Sequence, residues 1–114
     1  MSDCIFCKIV NKEIPSKIVL ENEYVIALED LNPMAPVHIL VVPKKHLTDI
    51  LEVKEEDNIY ILETLKAINE IAKEKKIDES GFRIVNNCKE DGGQTIKHLH
   101  FHLLGGTKLD VKMA

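Results

Sequence analysis

Apolar and β-branched residues fall into short runs separated by turn-forming residues, a pattern typical of strands. Asn22 separates the first two runs, and the proline-containing segment 32–36 precedes the third. One further segment alternates polar and apolar side chains along its whole length, as a half-buried strand does. The pattern therefore predicts five strands, at 17–21, 23–29, 37–42, 82–86 and 96–104.

Residues 54–76 instead have the period of an amphipathic helix, with acidic residues at the start and lysines at the end. A shorter helix of one or two turns is predicted for residues 4–11. Because a single long helix interrupts the strands, their order does not alternate as βαβ units do. We therefore predict an α+β fold with an antiparallel sheet, in one domain spanning residues 1–114. The apolar stripe of this helix, which is also a plausible surface for dimer formation, consists of Ile61, Leu62, Leu65, Ile68 and Ala72.

Composition places the chain among ordinary globular domains: of its 114 residues, 45% are hydrophobic and 30% are charged. A net charge of −4 without a basic stripe argues against a nucleic-acid partner. No apolar stretch approaches the roughly 18 residues that span a bilayer, and residues 1–10 lack the features of a signal peptide. We therefore expect no membrane partner. The three cysteines are an odd number, so we expect a cytoplasmic protein whose cysteines are free or bind metal.

Three histidines, His98, His100 and His102, occupy alternate positions of the last predicted strand and should therefore share one face. The outer pair would lie about 13 Å apart on an ideal strand, so all three rings can share one ion only if the strand bends. The simpler hypothesis is that the three rings have different roles: one ring is a nucleophile or base, and its neighbours orient it.

The polar loop just before these histidines contains the segment 91–95, with two adjacent glycines followed by Gln94 and Thr95. Glycines allow the backbone to approach a ligand closely and to present N–H groups, and Thr95 adds a hydroxyl. The position of the loop, a few residues before His100, predicts a phosphate site beside that ring.

The run His98-Leu99-His100-Phe101-His102-Leu103-Leu104 resembles the signature of the histidine-triad (HIT) family. Segments 3–9, 35–46 and 92–106 are similar to the Hint branch of that family, and the similarity covers about residues 3–106. The resemblance implies a five-stranded antiparallel sheet with one long and one short helix, assembled as a two-fold homodimer. It also implies hydrolysis of purine nucleoside 5′-phosphoramidates to nucleoside monophosphate and amine, through a nucleotidyl-histidine and without an organic cofactor.

The resemblance also implies roles for individual residues. His100 is expected to be the nucleophile, with catalytic contributions from His102, His98 and His38, and Asp30 is expected to accept hydrogen bonds from the ribose hydroxyls. The complete set of residues implied in substrate binding is Asp30, Asn86, Gly93, Gln94, Thr95, His100 and His102.

The pair Cys4-x-x-Cys7 has the spacing of a zinc knuckle, which needs two further ligands. The resemblance supplies them as His46 and His98, and together the four residues would form a closed structural zinc site. Such a site would fix the ring of His98 and help to position His100. The alternative is a pair of buried cysteines without metal.

Other functions stay open at this stage: a dinucleoside polyphosphate hydrolase with the same nucleophile, a nucleotide-binding or scaffold protein with weak catalysis, and a zinc-stabilised module without catalysis. The Cys4-x-x-Cys7 pair and the segment 43–46 favour the phosphoramidase. An intact triad argues against a pure binding protein, and a zinc module leaves the glycine loop unexplained. Residues 107–114 depart from the family pattern because they contain neither tryptophan nor proline, which leaves the leaving-group preference open.

Overall fold

A computed structural model describes residues 3–112, so the extreme ends of the expected domain 1–114 lie outside the described residues. The fold is a five-stranded sheet in the order β1-β2-β3-β5-β4, with every neighbouring pair antiparallel, as predicted. The strands are β1 (Ile18–Glu21), β2 (Val25–Glu29), β3 (Val37–Pro43), β4 (Phe82–Val85) and β5 (Phe101–Gly105). The helices are α1 (Ile5–Val10) and α2 (Asn58–Glu74), and short 3-10 turns at Ile50–Glu52 and Glu55–Asp57 precede α2.

The long helix is shorter than the predicted 54–76. Its first predicted turn is a separate 3-10 turn, in which the Asp57 carboxylate accepts a hydrogen bond from the Lys54 amide and pairs with Lys45. Within the predicted apolar stripe, Leu62 and Leu65 are 54% and 47% exposed. The smaller side chains of the helix let it lie close to the sheet; its buried residues are Thr64, Ala67, Ile68, Ile71 and Ala72.

Two apolar clusters lie on opposite faces of the sheet. The larger joins α2 to β2, β3 and β5 and is centred on residues such as Val41, Ile68 and Leu103. The smaller joins α1 to the other face through Phe6, Ile26 and neighbouring side chains. Within the described part of the chain, no helix is both long and apolar enough to cross a membrane.

The last strand begins at Phe101, so the prediction of a regular strand from residue 96 is wrong at its start. Residues 96–98 form a bend instead. The hydrogen bonds of this segment go to the chain following β3: the Leu99 amide donates to the Leu47 carbonyl, at 2.6 Å. The bend separates His98 from the face that the other two triad histidines share.

Candidate functional site

All five histidines take part in one continuous row of ring contacts. From one end, His38 meets His102, and His102 meets His100, with ring centroids 5.2 and 5.3 Å apart. Phe6 of α1 connects His100 to His98, which in turn lies against His46. The row has a carboxylate at one end and two thiols at the other, and His100 lies between these two groups.

His100 is buried, and one of its ring nitrogens is committed to the protein. Its Nδ1 lies 2.7 Å from the His98 carbonyl, which can only accept a hydrogen bond, so Nδ1 carries the proton. The neutral ring then has its lone pair on Nε2, the atom a nucleophile uses. The Asn86 side chain donates to the His100 carbonyl at 2.9 Å and holds the backbone of the same residue. The position of the Nδ1 proton and the backbone of His100 are both fixed by these contacts.

His38 and His102 form a hydrogen-bonded pair that ends on Asp30. The Met34 amide donates to His38 Nδ1 at 3.0 Å, so the proton of His38 is on Nε2. That N–H lies 2.9 Å from His102 Nδ1 and 3.4 Å from an Asp30 carboxylate oxygen. His102 consequently carries its own proton on Nε2 and is a donor. Burial, with a smaller effect from the neighbouring histidines, lowers the pKa of His102, which favours this neutral form.

Asp30, His38 and His102 also satisfy a simple geometric criterion for a metal site, because their donor atoms lie within 4.8 Å of one another. The tautomers argue against that use. A metal would need the lone pair of His38 Nε2, whereas the Met34 amide holds the proton there. In this trio the Nε2–H of His38 donates to His102 Nδ1 and also faces the Asp30 carboxylate. The other Asp30 oxygen accepts from the Asn32 amide at 2.7 Å, which fixes the carboxylate in its loop.

The glycine loop is closed by its own hydrogen bonds. The amides of Gly93 and Gln94 donate to carbonyls of Glu90 and Lys89, each at 3.0 Å. The Gln94 side chain is buried: its Nε2 donates to the carbonyls of Thr48 and Ile96, and its Oε1 accepts from the Lys89 amide. Gly93 and Thr95, by contrast, are exposed. Gln94 thus holds the loop in place, while the Thr95 hydroxyl is on an exposed residue.

The two cysteines lie against two histidines at the other end of the row. Cys4 Sγ is 3.3 Å from His98 Nδ1, and Cys7 Sγ is 3.2 Å from His46 Nδ1 and 3.7 Å from His98 Nδ1. A tetrahedral zinc with bonds of about 2.3 Å to sulfur and about 2.05 Å to nitrogen spaces such atoms about 3.6 Å apart. All four donor atoms lie within 4.8 Å of one another. The donor set and its spacing fit zinc.

The protonation state of His98 in the absence of metal is also compatible with zinc binding. His98 Nε2 donates to the Pro43 carbonyl at 2.8 Å, which leaves the Nδ1 lone pair directed at the thiols. Burial lowers the pKa of His98 to about 4, so the ring is neutral at pH 7. Burial, aided by Cys4, raises the pKa of the Cys7 thiol to about 11. A metal ion would therefore have to displace thiol protons as it binds.

The structure divides the predicted histidines, cysteines and Asp30 into two groups with different partners. His98 belongs with the cysteines and His46, whereas His38 and Asp30 belong with His102. Sequence reasoning missed three main-chain groups that set the tautomers, which are the Met34 amide and the carbonyls of Pro43 and His98. No side-chain pattern could reveal a backbone partner. It also missed the contact of Phe6 with both His98 and His100. The place of Phe6 inside Cys4-x-x-Cys7 could have indicated that its side chain lies near the proposed metal ligands.

Comparisons with known proteins agree with this geometry. The family model described as the HIT domain matches residues 11–109. An uncharacterized HIT-like protein of Buchnera aphidicola is 46% identical over 111 residues, which is 96% of this chain and 98% of that protein. Among solved structures, a histidine triad protein from Clostridium difficile is 53% identical and covers 96% of each chain, with a TM-score of 0.92. A HIT family hydrolase from Clostridium thermocellum is 43% identical, covers 100% of this chain and 99% of its own, and has a TM-score of 0.96.

Proposed function

The chain belongs to the histidine-triad (HIT) family, and from that premise we propose that it hydrolyses purine nucleoside 5′-phosphoramidates. The observation that carries the proposal is the fixed tautomer of His100, which leaves its Nε2 lone pair available. The relative from Clostridium thermocellum, of the same fold, is described as a hydrolase. The Cys4-x-x-Cys7 pair and the segment 43–46, which resemble the Hint branch, favour a nucleoside phosphoramidate over a dinucleoside polyphosphate as the substrate.

In the first step, His100 Nε2 attacks the α-phosphorus and the P–N bond breaks. The leaving amine takes a proton from water, while the Nε2–H of His102, held in this tautomer by the His38 hydrogen bond to His102 Nδ1, donates a hydrogen bond to the phosphoryl group. A nucleotidyl-histidine and a free amine result. In the second step, water attacks the same phosphorus and releases a proton to solvent. The bond from phosphorus to His100 breaks, and nucleoside monophosphate leaves.

The surrounding residues bind the nucleotide in this proposal. Asp30 accepts hydrogen bonds from the ribose hydroxyls, and its carboxylate is held by the Asn32 amide. Gly93, Thr95 and Asn86 surround the phosphate, while Gln94 acts indirectly by fixing the loop. Donors placed in advance around the phosphate stabilise the charge that develops in the transition state.

We propose that Cys4, Cys7, His46 and His98 hold a structural zinc. When bound, zinc supplies a tie between α1 and the segment before β5, without contacting the substrate. We further propose that two copies of the chain assemble about a two-fold axis.

The test compares the wild type with His100→Ala on an adenosine 5′-phosphoramidate that releases a fluorescent amine. We expect turnover by the wild type, a loss of at least about 10³-fold in the variant, and AMP affinity retained within a few fold. A variant that turns over at the wild-type rate would show that the nucleophile is misassigned.

The same experiment separates the alternatives. Diadenosine polyphosphate is offered to both proteins in a parallel assay. Hydrolysis of that compound without hydrolysis of the phosphoramidate would identify a polyphosphate hydrolase. AMP binding by a folded wild type that cleaves neither compound would identify a nucleotide-binding protein.

A further inference from the structure

Phe6 lies within α1, between the two cysteines of the proposed zinc site, and its side chain is only 3% exposed. The edge of one ring meets the other in both of its aromatic contacts to histidine. The Phe6 ring is 5.7 Å from that of His98, at an interplanar angle of 84°, and 5.1 Å from that of His100, at 60°. A single buried side chain therefore packs against a proposed metal ligand and against the proposed nucleophile.

A second link runs through the backbone. The carbonyl that accepts the His100 Nδ1 proton belongs to His98, whose ring is itself held by the Pro43 carbonyl and faces both thiols. The orientation of His100 thus depends on two supports, the Phe6 ring and the His98 carbonyl. The carbonyl belongs to His98, a member of the four-donor cluster, and Phe6 lies between Cys4 and Cys7, two other members.

The four-donor cluster borders a cavity through two of its members. Cys7 and His98 are buried, whereas Cys4 and His46 are partly exposed and line a cavity of about 440 Å³, together with Thr95 and Lys97. A metal ion can enter and leave through this cavity. Because the cavity extends to Thr95 of the glycine loop, metal exchange would take place next to the proposed phosphate site.

We propose that Phe6 is a positioning residue that makes the orientation of His100 depend on metal at Cys4, Cys7, His46 and His98. The proposal rests on the proposed function for its catalytic consequence, although the coupling itself is a property of the protein without substrate. In the metal-free chain the thiols of Cys4 and Cys7 are in hydrogen-bond contact with His98 and His46, and apolar packing also holds α1. Metal binding would replace these contacts by bonds to one ion, which would fix α1, and with it the Phe6 ring, more firmly against His46 and His98.

The experiment follows the His100 ring directly, with histidine labelled by ¹⁵N and long-range proton–nitrogen NMR at pH 8. It compares the zinc-loaded wild type, the same protein after chelation, zinc-loaded Phe6→Leu, and zinc-loaded Val42→Ala as a control that loses packing in the same apolar cluster. Zinc affinity is measured by competition with a chromogenic chelator. Turnover of the phosphoramidate is resolved into kcat and KM.

We expect the zinc-loaded wild type and Val42→Ala to show one His100 tautomer, with the proton on Nδ1. Chelation and Phe6→Leu should each produce a mixture of tautomers. Each should lower kcat by about tenfold or more while KM changes less, as misplacement of a reacting group does. Chelation of Phe6→Leu should add little to the loss, because both changes break the same link.

A single His100 tautomer in both the chelated protein and Phe6→Leu would overturn the proposal, whatever the activity. A response of the tautomer to zinc and to Phe6→Leu in a protein that hydrolyses no phosphoramidate would support the coupling and refute the proposed function. If Phe6→Leu does not fold, Phe6→Met, which retains bulk but not the ring, takes its place with the same expectations.

Discussion

At the scale of single residues, main-chain groups decide the chemistry of the histidines. The Met34 amide, the Pro43 carbonyl and the His98 carbonyl each bind one ring nitrogen, of His38, His98 and His100 respectively. A backbone carbonyl can only accept and a backbone amide can only donate, so each of these rings has one neutral tautomer. The lone pair of the proposed nucleophile is therefore set before any substrate binds.

Gln94 offers a test of the glycine loop at the same scale. Gln94→Glu keeps the size of the side chain but replaces the NH2 group, with its two N–H donors, by an oxygen that faces the carbonyls of Thr48 and Ile96. Leaving such buried groups unsatisfied costs about 1–3 kcal/mol each. We expect a lower Tm, a KM for the phosphoramidate several-fold higher, and a smaller change in kcat. Asn87→Asp adds the same charge in the same loop and is the control; an equal rise in KM there would assign the effect to charge alone.

The residue scale is also where the sequence was most informative about identity and least informative about contacts. The alternation of His98, His100 and His102 predicted that they act together, and the resemblance divided them between two sites. Gln94 is predicted to bind substrate, and the structure adds that its side chain is hydrogen-bonded within the protein. Its partners lie as far away as Thr48, and a separation of that kind leaves no local pattern in the sequence.

At the scale of elements, the sequence predicted which segments are helices and strands better than where they begin. Residues 96–104 alternate like a strand. Hydrogen bonds from the Leu99 amide to Leu47 and from the His98 ring to Pro43, however, bend the first half of this segment. The long helix likewise begins later than predicted, because Asp57 pairs with Lys45 and the preceding residues form a 3-10 turn. Both differences arise where an ion pair or a backbone bond competes with local propensity.

The pair of Lys45 and Asp57 joins the segment after β3 to the beginning of α2, and Asp57 is buried. The hydrogen bond from Lys45, aided by the Lys54 amide, lowers the pKa of Asp57 below its usual 3.8. A carboxylate whose folded pKa is depressed stabilises the fold above its unfolded pKa and loses that contribution as the pH falls towards the folded value.

We therefore expect Asp57→Asn to lower the free energy of unfolding at pH 7, and the difference from wild type to shrink as the pH falls below about 4. Urea unfolding between pH 7 and pH 3 measures it. Glu55→Gln, at an exposed carboxylate of the same 3-10 turn, is the control and should keep the wild-type pH dependence. A difference between Asp57→Asn and wild type that stays constant down to pH 3 would contradict the assignment.

At the scale of the whole molecule, one side of the sheet is incompletely covered. In the register of β4 with β5, Phe82 and Ile84 lie opposite Gly105 and Leu103. Opposite residues share a face, so both side chains are on the α2 side. The helix packs mainly on β2 and β3, and Phe82 and Ile84 stay 37% and 43% exposed. Leu62 and Leu65 of α2 are exposed as well. Such a surface is what a second copy of the chain would bury.

If the proposed homodimer forms, the wild type should sediment at twice the chain mass of 12.9 kDa. Ile84→Lys places a charge on edge strand β4, where it would have to be buried without a partner, and should shift the protein to monomer at micromolar concentration. Leu51→Lys makes the same change at an exposed residue of the 3-10 turn Ile50–Glu52 and should leave the dimer intact. A wild type that sediments as a monomer would refute the dimer. An Ile84→Lys dimer as tight as wild type would place the interface elsewhere, and the exposed side chains of β4 would then need another explanation.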